Sequence, residues 1–307
     1  MKPAPSLILF TTLSGTGFGM LGWLGLELLQ GVAPRPIDLA LACALAIAGL
    51  LASVAHLGQP LRAWRAFTQW RSSWLSREAW AAAFTLLLAL LMLLPGWPLA
   101  RWQGLPLALL SLGTVYCTAM IYHSLKPVPA WQVASVPATF VTLGLYSGAA
   151  VLLWSNPWRN YEWGVFCAVL AILPATQKLR YWKAVDGLAL PSGSAAVGLS
   201  EGAAVANFEA PHTEQNYLTR EFWFQVGRRH RQRLRQVVML AAFVVAPAAM
   251  LAHVVWPAWR LPLAVVSLIG LTVGLLCERW LFFAEARHVV ERYYRPDDSD
   301  VGPSGQR

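Results

Sequence analysis

Eight apolar runs, each of about 20 residues, constrain this chain more than any motif, because that length matches the hydrocarbon thickness of a bilayer. They cover residues 6–29, 37–57, 79–97, 104–124, 135–154, 162–181, 237–256 and 261–284. Hydrophobic residues make up 57% of the chain and charged residues 13%, whereas charged residues average about 25% in soluble domains. The sequence therefore predicts an all-α fold, a polytopic membrane helix bundle with about eight transmembrane helices.

The first and sixth runs need separate interpretation. Residues 6–29 lack a basic region beyond Lys2 and a clear small-residue cleavage site, so we interpret them as a retained span and not as a signal peptide. The sixth run is apolar only over 163–176, which predicts a span that is short, tilted or partly interfacial. We expect one transmembrane domain over 1–290, with a long connection at 185–236, followed by a disordered polar tail at 291–307.

Basic residues are concentrated on one side of the predicted bundle. Nineteen of the 24 Lys and Arg residues fall in the termini and the even-numbered connections, and four fall in the odd-numbered connections. The positive-inside rule then predicts that both termini are cytoplasmic. A basic face that docks an acidic partner would give the same count. Nucleic acid is a poor explanation for the net charge of +9, because these residues line one edge of a membrane bundle.

The long connection has two parts with different compositions. Residues 186–205 are rich in Gly, Ala and Ser, which is typical of a mobile segment. Residues 211–224 are denser in aromatic and polar residues, and the basic stretch 228–235 follows. The second part is either an anchor to anionic lipid or a docking platform for a soluble subunit, and the accompanying aromatic and acidic residues favour the platform.

Glycines in the first run predict close helix packing. Gly15, Gly19 and Gly22 lie roughly on one helix face, and such a face permits another backbone to approach closely. We expect this packing to occur within the bundle, with a dedicated dimer interface as the less favoured alternative.

An imidazole and a carboxylate, His56 and Glu78, lie at the mouths of the second and third runs. Ionisable groups at the edge of hydrocarbon are costly and usually have a partner or a task. Imidazole titrates near neutral pH and suits proton abstraction, and a neighbouring carboxylate can relay protons or orient the ring. Taken alone, His56 can also be a helix-end residue bonded to a backbone carbonyl, and Glu78 can be a carboxylate that stabilises a helix N-terminus.

Metal and haem sites have little support in the sequence. Cys43, Cys117, Cys167 and Cys277 are scattered one per run without a C-x-x-C spacing, so we expect no iron–sulfur cluster in this chain. A haem within the bundle needs two histidines at matching depth. His56 and His123 both lie at even-side helix ends and leave that alternative open.

Several separated motifs resemble one known family. They are Ala55-His56-Leu57-Gly58-Gln59-Pro60-Leu61-Arg62-Ala63, Ser76-Arg77-Glu78, the segment 120–131 that begins Met-Ile-Tyr-His-Ser-Leu-Lys-Pro, and the segment 278–288 that begins Glu-Arg-Trp-Leu-Phe-Phe. Together with residues 211–218, these stretches are similar to the membrane anchor subunit of the dimethyl sulfoxide reductase family. The resemblance covers about residues 6–290.

The resemblance implies a haem-free anchor in a bacterial inner membrane that serves anaerobic respiration. Its implied partners are an iron–sulfur subunit with four clusters and a molybdopterin catalytic subunit, and its implied substrate is menaquinol or ubiquinol. The family's histidine and glutamate of the quinol site match His56 and Glu78, 22 residues apart. Further candidates for the quinol pocket or a partner contact are Arg62, Arg71, Trp74, Tyr122 and His123.

Two alternatives from other classes remain. The first is a related anchor that contains haem b. The second is a small-molecule transporter, which would be built from inverted repeats with helices broken near the membrane midplane. The sequence shows neither a convincing repeat nor paired broken spans.

Overall fold

The computed structural model describes residues 3–55, 57–156, 159, 161–188, 198 and 226–290. This part of the chain contains helices and turns and no β-strand, which confirms the predicted all-helical bundle. The α-helices are α1 (Pro5–Leu29), α2 (Pro36–Ala55), α3 (Trp74–Leu91), α4 (Gly104–His123), α5 (Ser135–Ser155), α6 (Tyr161–Leu170), α7 (Ile172–Asp186), α8 (Val226–Leu240), α9 (Ala246–Val255) and α10 (Arg260–Ala284).

Seven helical segments of the described residues are long and apolar enough to cross a membrane. They are Pro5–Leu29, Pro36–Ala55, Trp74–Leu91, Arg101–His123, Ser135–Ser155, His230–Val255 and Pro257–Ala284. The sixth predicted span, 162–181, is divided into α6 and α7 at Ala171. Pro174 explains the division, because it has no N–H to donate to the Leu170 carbonyl.

The predicted connection 185–236 is too long at its C-terminal end. Helix α8 begins at Val226, so much of the basic stretch is helical and leads directly into the membrane segment. Residues 241–245 then form a π-helical turn, and α9 follows. Pro247 at the start of α9 accounts for the wider turn, which gives its ring room against the preceding carbonyls. The predicted platform at 211–224 and the predicted tail at 291–307 lie outside the described residues.

Helix α1 lies at the centre of the bundle, in contact with α2, α4, α5 and α10. Its glycines face different neighbours: a Cβ on Gly17 would meet the backbone of α2, one on Gly19 would meet Gly144 of α5, and one on Gly25 would meet α4. The prediction of packing within the bundle is therefore confirmed. A Cβ on Gly15 would have no neighbouring atom within 4 Å, but the Gly15 carbonyl oxygen would lie 2.9 Å from a Cβ on Gly144, so Gly15 and Gly19 both approach α5. Gly22 instead faces the Leu112 side chain of α4.

Several side-chain hydroxyls inside the bundle donate hydrogen bonds to carbonyls of their own helix. Hydroxyls of α1 donate to carbonyls one turn earlier, as Ser14 does to Phe10 at 2.6 Å and Thr16 to Thr12 at 2.9 Å. Such bonds suit hydrocarbon, where no water is available. At the end of the bundle opposite the basic residues, Arg260 donates from Nη2 to three carbonyls at the C-terminus of α5, namely those of Leu153, Trp154 and Asn156.

Candidate functional site

Glu78 lies inside the bundle and does not cap its helix. Helix α3 begins at Trp74, and its N-cap is Ser73, whose hydroxyl accepts a 3.4 Å hydrogen bond from the Ser76 N–H. The Glu78 side chain is one turn farther along and buried, with 4% of its surface exposed. Its Oε1 accepts a 2.5 Å hydrogen bond from the Thr118 hydroxyl of α4. The helix-capping interpretation of Glu78 is therefore wrong.

The segment between α2 and α3 folds back onto the first two turns of α3. Residues 60–67 form a short 3₁₀ helix. Arg77 donates from Nε to the Trp70 carbonyl at 3.1 Å and from Nη2 to the Arg71 carbonyl at 2.7 Å. Farther along α3, the Trp80 indole donates to the Phe67 carbonyl at 3.0 Å. These bonds hold the segment that follows His56 against the helix that carries Glu78.

Aromatic side chains of α3 and α4 meet at the turn of α3 that precedes Glu78. The Trp74 ring meets the Tyr116 ring edge to face at 6.0 Å, and the Arg77 guanidinium lies 4.3 Å from the Trp74 centroid. Apolar side chains of the same helices are exposed on the outside of the bundle, among them Leu75, Phe84 and Leu109. In a membrane this surface faces lipid, so a lipid-soluble molecule can reach α3 and α4 laterally.

The other predicted site residues occupy different environments. Tyr122 is buried among Trp131, Phe140, Phe282 and Phe283, one helical turn after Thr118 on α4. The next residue, His123, is half-buried, with Nδ1 3.1 Å from the Trp131 carbonyl.

Of the remaining candidates, Arg62 and Arg71 are exposed and Trp74 is half-buried beside Glu78. His56 lies outside the described residues. The structure thus brings Glu78, Trp74 and Tyr122 into one region at the end of the bundle where α3 begins, and it leaves the two arginines on the surface.

A second buried charged cluster joins α7 to α10. Lys178 Nζ lies 2.7 Å from Glu278 Oε1, and Arg279 Nε lies 3.4 Å from Glu278 Oε2. The three side chains are 1–4% exposed. The Arg279 guanidinium also stacks on Phe140, 3.7 Å from the ring centroid.

Lys178 follows the apolar part of the sixth run, and no motif in the sequence indicates that it pairs with Glu278. A helical spacing is present in the sequence, since Lys178, Tyr181, Trp182 and Val185 recur at intervals of three and four and share one face of α7. That spacing predicts that the Lys178 side chain faces the interior of the bundle.

Ion pairs continue from this cluster to the basic end of the bundle. Arg235 Nε lies 2.8 Å from Glu285 Oε1, and Arg235 Nη1 lies 2.6 Å from Asp186 Oδ2. Burial raises the pKa of Glu285, which lies just beyond the last membrane segment. The hydrogen bonds from Arg235 lower the pKa of Asp186, whose side chain is 41% exposed.

Among the described residues, no group of three or more His, Cys, Asp or Glu side chains is arranged to hold a metal ion. The four cysteines are free thiols on separate helices.

Comparison with known proteins agrees with this architecture. The family model described as DMSO reductase anchor subunit (DmsC) matches residues 1–284. A curated relative, a sulfite dehydrogenase subunit from Allochromatium vinosum, is 32% identical over 326 aligned positions, which cover 96% of this chain and 99% of the relative. The chain is an integral membrane protein, and it belongs to the DMSO reductase anchor subunit (DmsC) family.

Proposed function

We propose that this chain anchors a molybdenum and iron–sulfur oxidoreductase complex in the membrane, oxidises quinol and passes the electrons to an iron–sulfur subunit with four clusters. The anchoring role and the association with a molybdoenzyme follow from family membership. The quinol site, the iron–sulfur subunit and the absence of haem are our proposal. A bacterial inner membrane with both termini cytoplasmic is part of the same proposal, and it rests on the charge distribution.

The observation that carries the quinol site is the buried carboxylate of Glu78, which accepts a hydrogen bond from Thr118 of the neighbouring helix. A carboxylate taken out of water needs compensation, and a single hydroxyl supplies little of it. The Trp74 and Tyr116 rings beside it offer apolar faces of the size of a quinone ring. These groups fit a quinol headgroup whose hydroxyl donates to Glu78.

Quinol oxidation releases two protons and two electrons, so a base near each hydroxyl assists the reaction. Glu78 is positioned by Thr118 to accept one proton. His56, 22 residues earlier in the chain, supplies the second base in this proposal. The electrons leave through the iron–sulfur subunit, for which the exposed Arg62 and Arg71 are candidate contacts.

The reverse direction is a second candidate function. The curated relative is named as a subunit of a sulfite dehydrogenase, a complex that oxidises its substrate. If this chain serves such a complex, the same groups deliver protons to quinone instead of removing them from quinol.

The test uses the complete complex in its native membrane. We expect Glu78→Gln to abolish cluster reduction by a short-chain naphthoquinol or ubiquinol, followed by electron paramagnetic resonance. Turnover driven by reduced viologen, which bypasses the anchor, should stay at the wild-type level because assembly is intact. Asp38→Asn is the matched control, since Asp38 is a buried carboxyl that accepts a 2.7 Å hydrogen bond from Ser155 on another part of the bundle.

Normal quinol-driven reduction in Glu78→Gln would refute the site. An optical spectrum of the purified complex tests the haem alternative, since a Soret band that belongs to this chain would replace the haem-free proposal. Purification of the chain without any electron-transfer partner would favour the transporter.

A further inference from the structure

Four carboxyl groups lie in series between the candidate quinol site and the basic surface of the bundle. They are Glu78, Glu278, Glu285 and Asp186. Tyr122 lies in the first interval, because it is one helical turn after Thr118, the hydrogen-bond partner of Glu78. Its ring packs against Phe282 and Phe283, which are one turn after Glu278 and its neighbour Arg279 on α10.

Lys178 and Tyr181 occupy the second interval, between Glu278 and Glu285. Lys178 pairs with Glu278 at 2.7 Å, and its ammonium lies 5.2 Å from the centroid of the Trp182 ring. The Arg235 guanidinium, which binds Glu285, lies 5.3 Å from the centroid of the same ring. A cavity large enough for about one water molecule is lined by Lys178, Tyr181 and Glu278. The buried Tyr181 hydroxyl and Glu285 Oε2 have no hydrogen-bond partner among the described residues, and Tyr181 lines the cavity.

A purely structural ion cluster would satisfy its own polar atoms, because partly satisfied networks in a low dielectric are costly. Here two cations face one carboxylate, and Arg279 Nη1 has no partner within the described part of the chain. Arg279 also lines a second water-sized cavity, whose other polar residues include Thr12, Thr16 and Ser147. The three charged side chains therefore carry one excess positive charge and border two cavities of the size of a water molecule.

We propose that Tyr122, Glu278, Lys178 and Glu285 form a relay that moves protons between Glu78 and Asp186 at the basic surface. This inference rests on the proposed quinol function of Glu78. A proton that arrives at Glu278 neutralises its carboxylate and leaves the Lys178 ammonium without its counter-charge. Lys178 then gives a proton to the Glu285 carboxylate and takes the proton held by Glu278, which restores the starting pair.

The groups at the surface end favour release. Glu285 is held by one ionic partner and is largely buried, which raises its pKa and lets it receive a proton. Asp186 is held by Arg235 and Arg231 and is exposed, which lowers its pKa and lets it lose the proton to water. When quinone is reduced, protons move along the same residues in the opposite direction, from Asp186 to Glu78.

The test measures single-turnover quinol oxidation and proton release with a pH-indicating dye, using the complete complex in membrane vesicles and a short-chain naphthoquinol as donor. We expect Glu278→Gln to slow both by roughly 100-fold. Binding of a fluorescent quinol analogue and viologen-driven turnover should remain at the wild-type level. A small weak acid such as hydrazoic acid should restore much of the rate, because it can carry protons through the cavity. Asp38→Asn again serves as the control for the loss of a buried carboxyl.

Each outcome separates the relay from the quinol site. Wild-type rates in Glu278→Gln together with an inactive Glu78→Gln would overturn the relay and leave the proposed function standing. Wild-type rates in both variants would overturn both. Slow turnover with weakened analogue binding and no rescue by weak acid would show a structural role and overturn the relay. If Glu278→Gln does not assemble, Glu285→Gln provides the same measurement from the surface end of the path.

Discussion

The contact between α1 and α4 is so close that one methyl group should separate the helices. A Cβ placed on Gly25 would lie 2.7 Å from both the Ala108 nitrogen and the Gly104 oxygen. Ordinary contacts of this kind begin at 3.4 Å, so Gly25→Ala requires the two backbones to move apart by about 0.7 Å. Because backbone atoms are on the far side, no side chain can rotate to relieve the contact. Overpacking of this kind costs about 1–3 kcal/mol.

A matched substitution isolates that cost from helix propensity. Alanine is favoured over glycine in a helix by about 1 kcal/mol, and this gain is common to all glycines in helix interiors. Gly113 lies within α4, and a Cβ placed on it would have no neighbouring atom within 4 Å, so Gly113→Ala reports propensity alone. We expect Gly25→Ala to be less stable than Gly113→Ala by about 1–3 kcal/mol.

The measurement is unfolding of the purified chain by sodium dodecyl sulfate in mixed micelles, followed by far-ultraviolet circular dichroism. Both variants are titrated at the same detergent mole fractions, so the difference between their unfolding free energies removes common errors. If the unfolding free energies of the two variants agree within about 0.5 kcal/mol, the close backbone contact at Gly25 is refuted. Differences of that size are usual for surface substitutions that disturb no packing contact.

Two further predictions concern charged residues at opposite ends of the bundle. Arg260→Ala leaves the last carbonyls of α5 without their donor. We expect the free energy of unfolding to fall by about 3 kcal/mol in the same assay, because hydrogen bonds to a charged group are worth about 1.5–3 kcal/mol each. An unchanged unfolding midpoint would contradict the capping role. Arg235 lowers the pKa of Asp186, so this pair stabilises the fold above about pH 4 and its contribution is lost as the pH falls through the lowered pKa. Asp186→Asn should therefore cost under about 1 kcal/mol at about pH 7, and its difference from wild type should shrink below about pH 4; a difference that grows on acidification would contradict the assignment.

Hydropathy predicts the helices well because each span must satisfy its backbone alone in hydrocarbon, which makes the signal local. The boundaries that differ have local chemical causes. Helix α3 begins at Trp74, before the apolar run at 79, since Ser73 caps it. The charged stretch 226–236 forms the first part of α8, although its composition resembles that of a connection.

The partners of buried charges could not be predicted in the same way. Lys178 and Glu278 are 100 residues apart in sequence and meet only through packing of α7 on α10, and Thr118 meets Glu78 through packing of α3 on α4. Motif spacing could single out Glu78, but it carries no information on the hydroxyl that holds it. The placement of His56 stays a prediction.

The central position of α1 has a consequence for biosynthesis. A ribosome completes α1 before any of the helices that surround it, so α1 enters the bilayer while its glycines and hydroxyls still face lipid or the insertion machinery. The neighbour at Gly19 is α5, which begins at Ser135, more than one hundred residues later. Helix α1 is thus made before its neighbours but reaches its final surroundings only after α5 is made, and until then Gly19 lacks the close backbone contact that Gly144 provides.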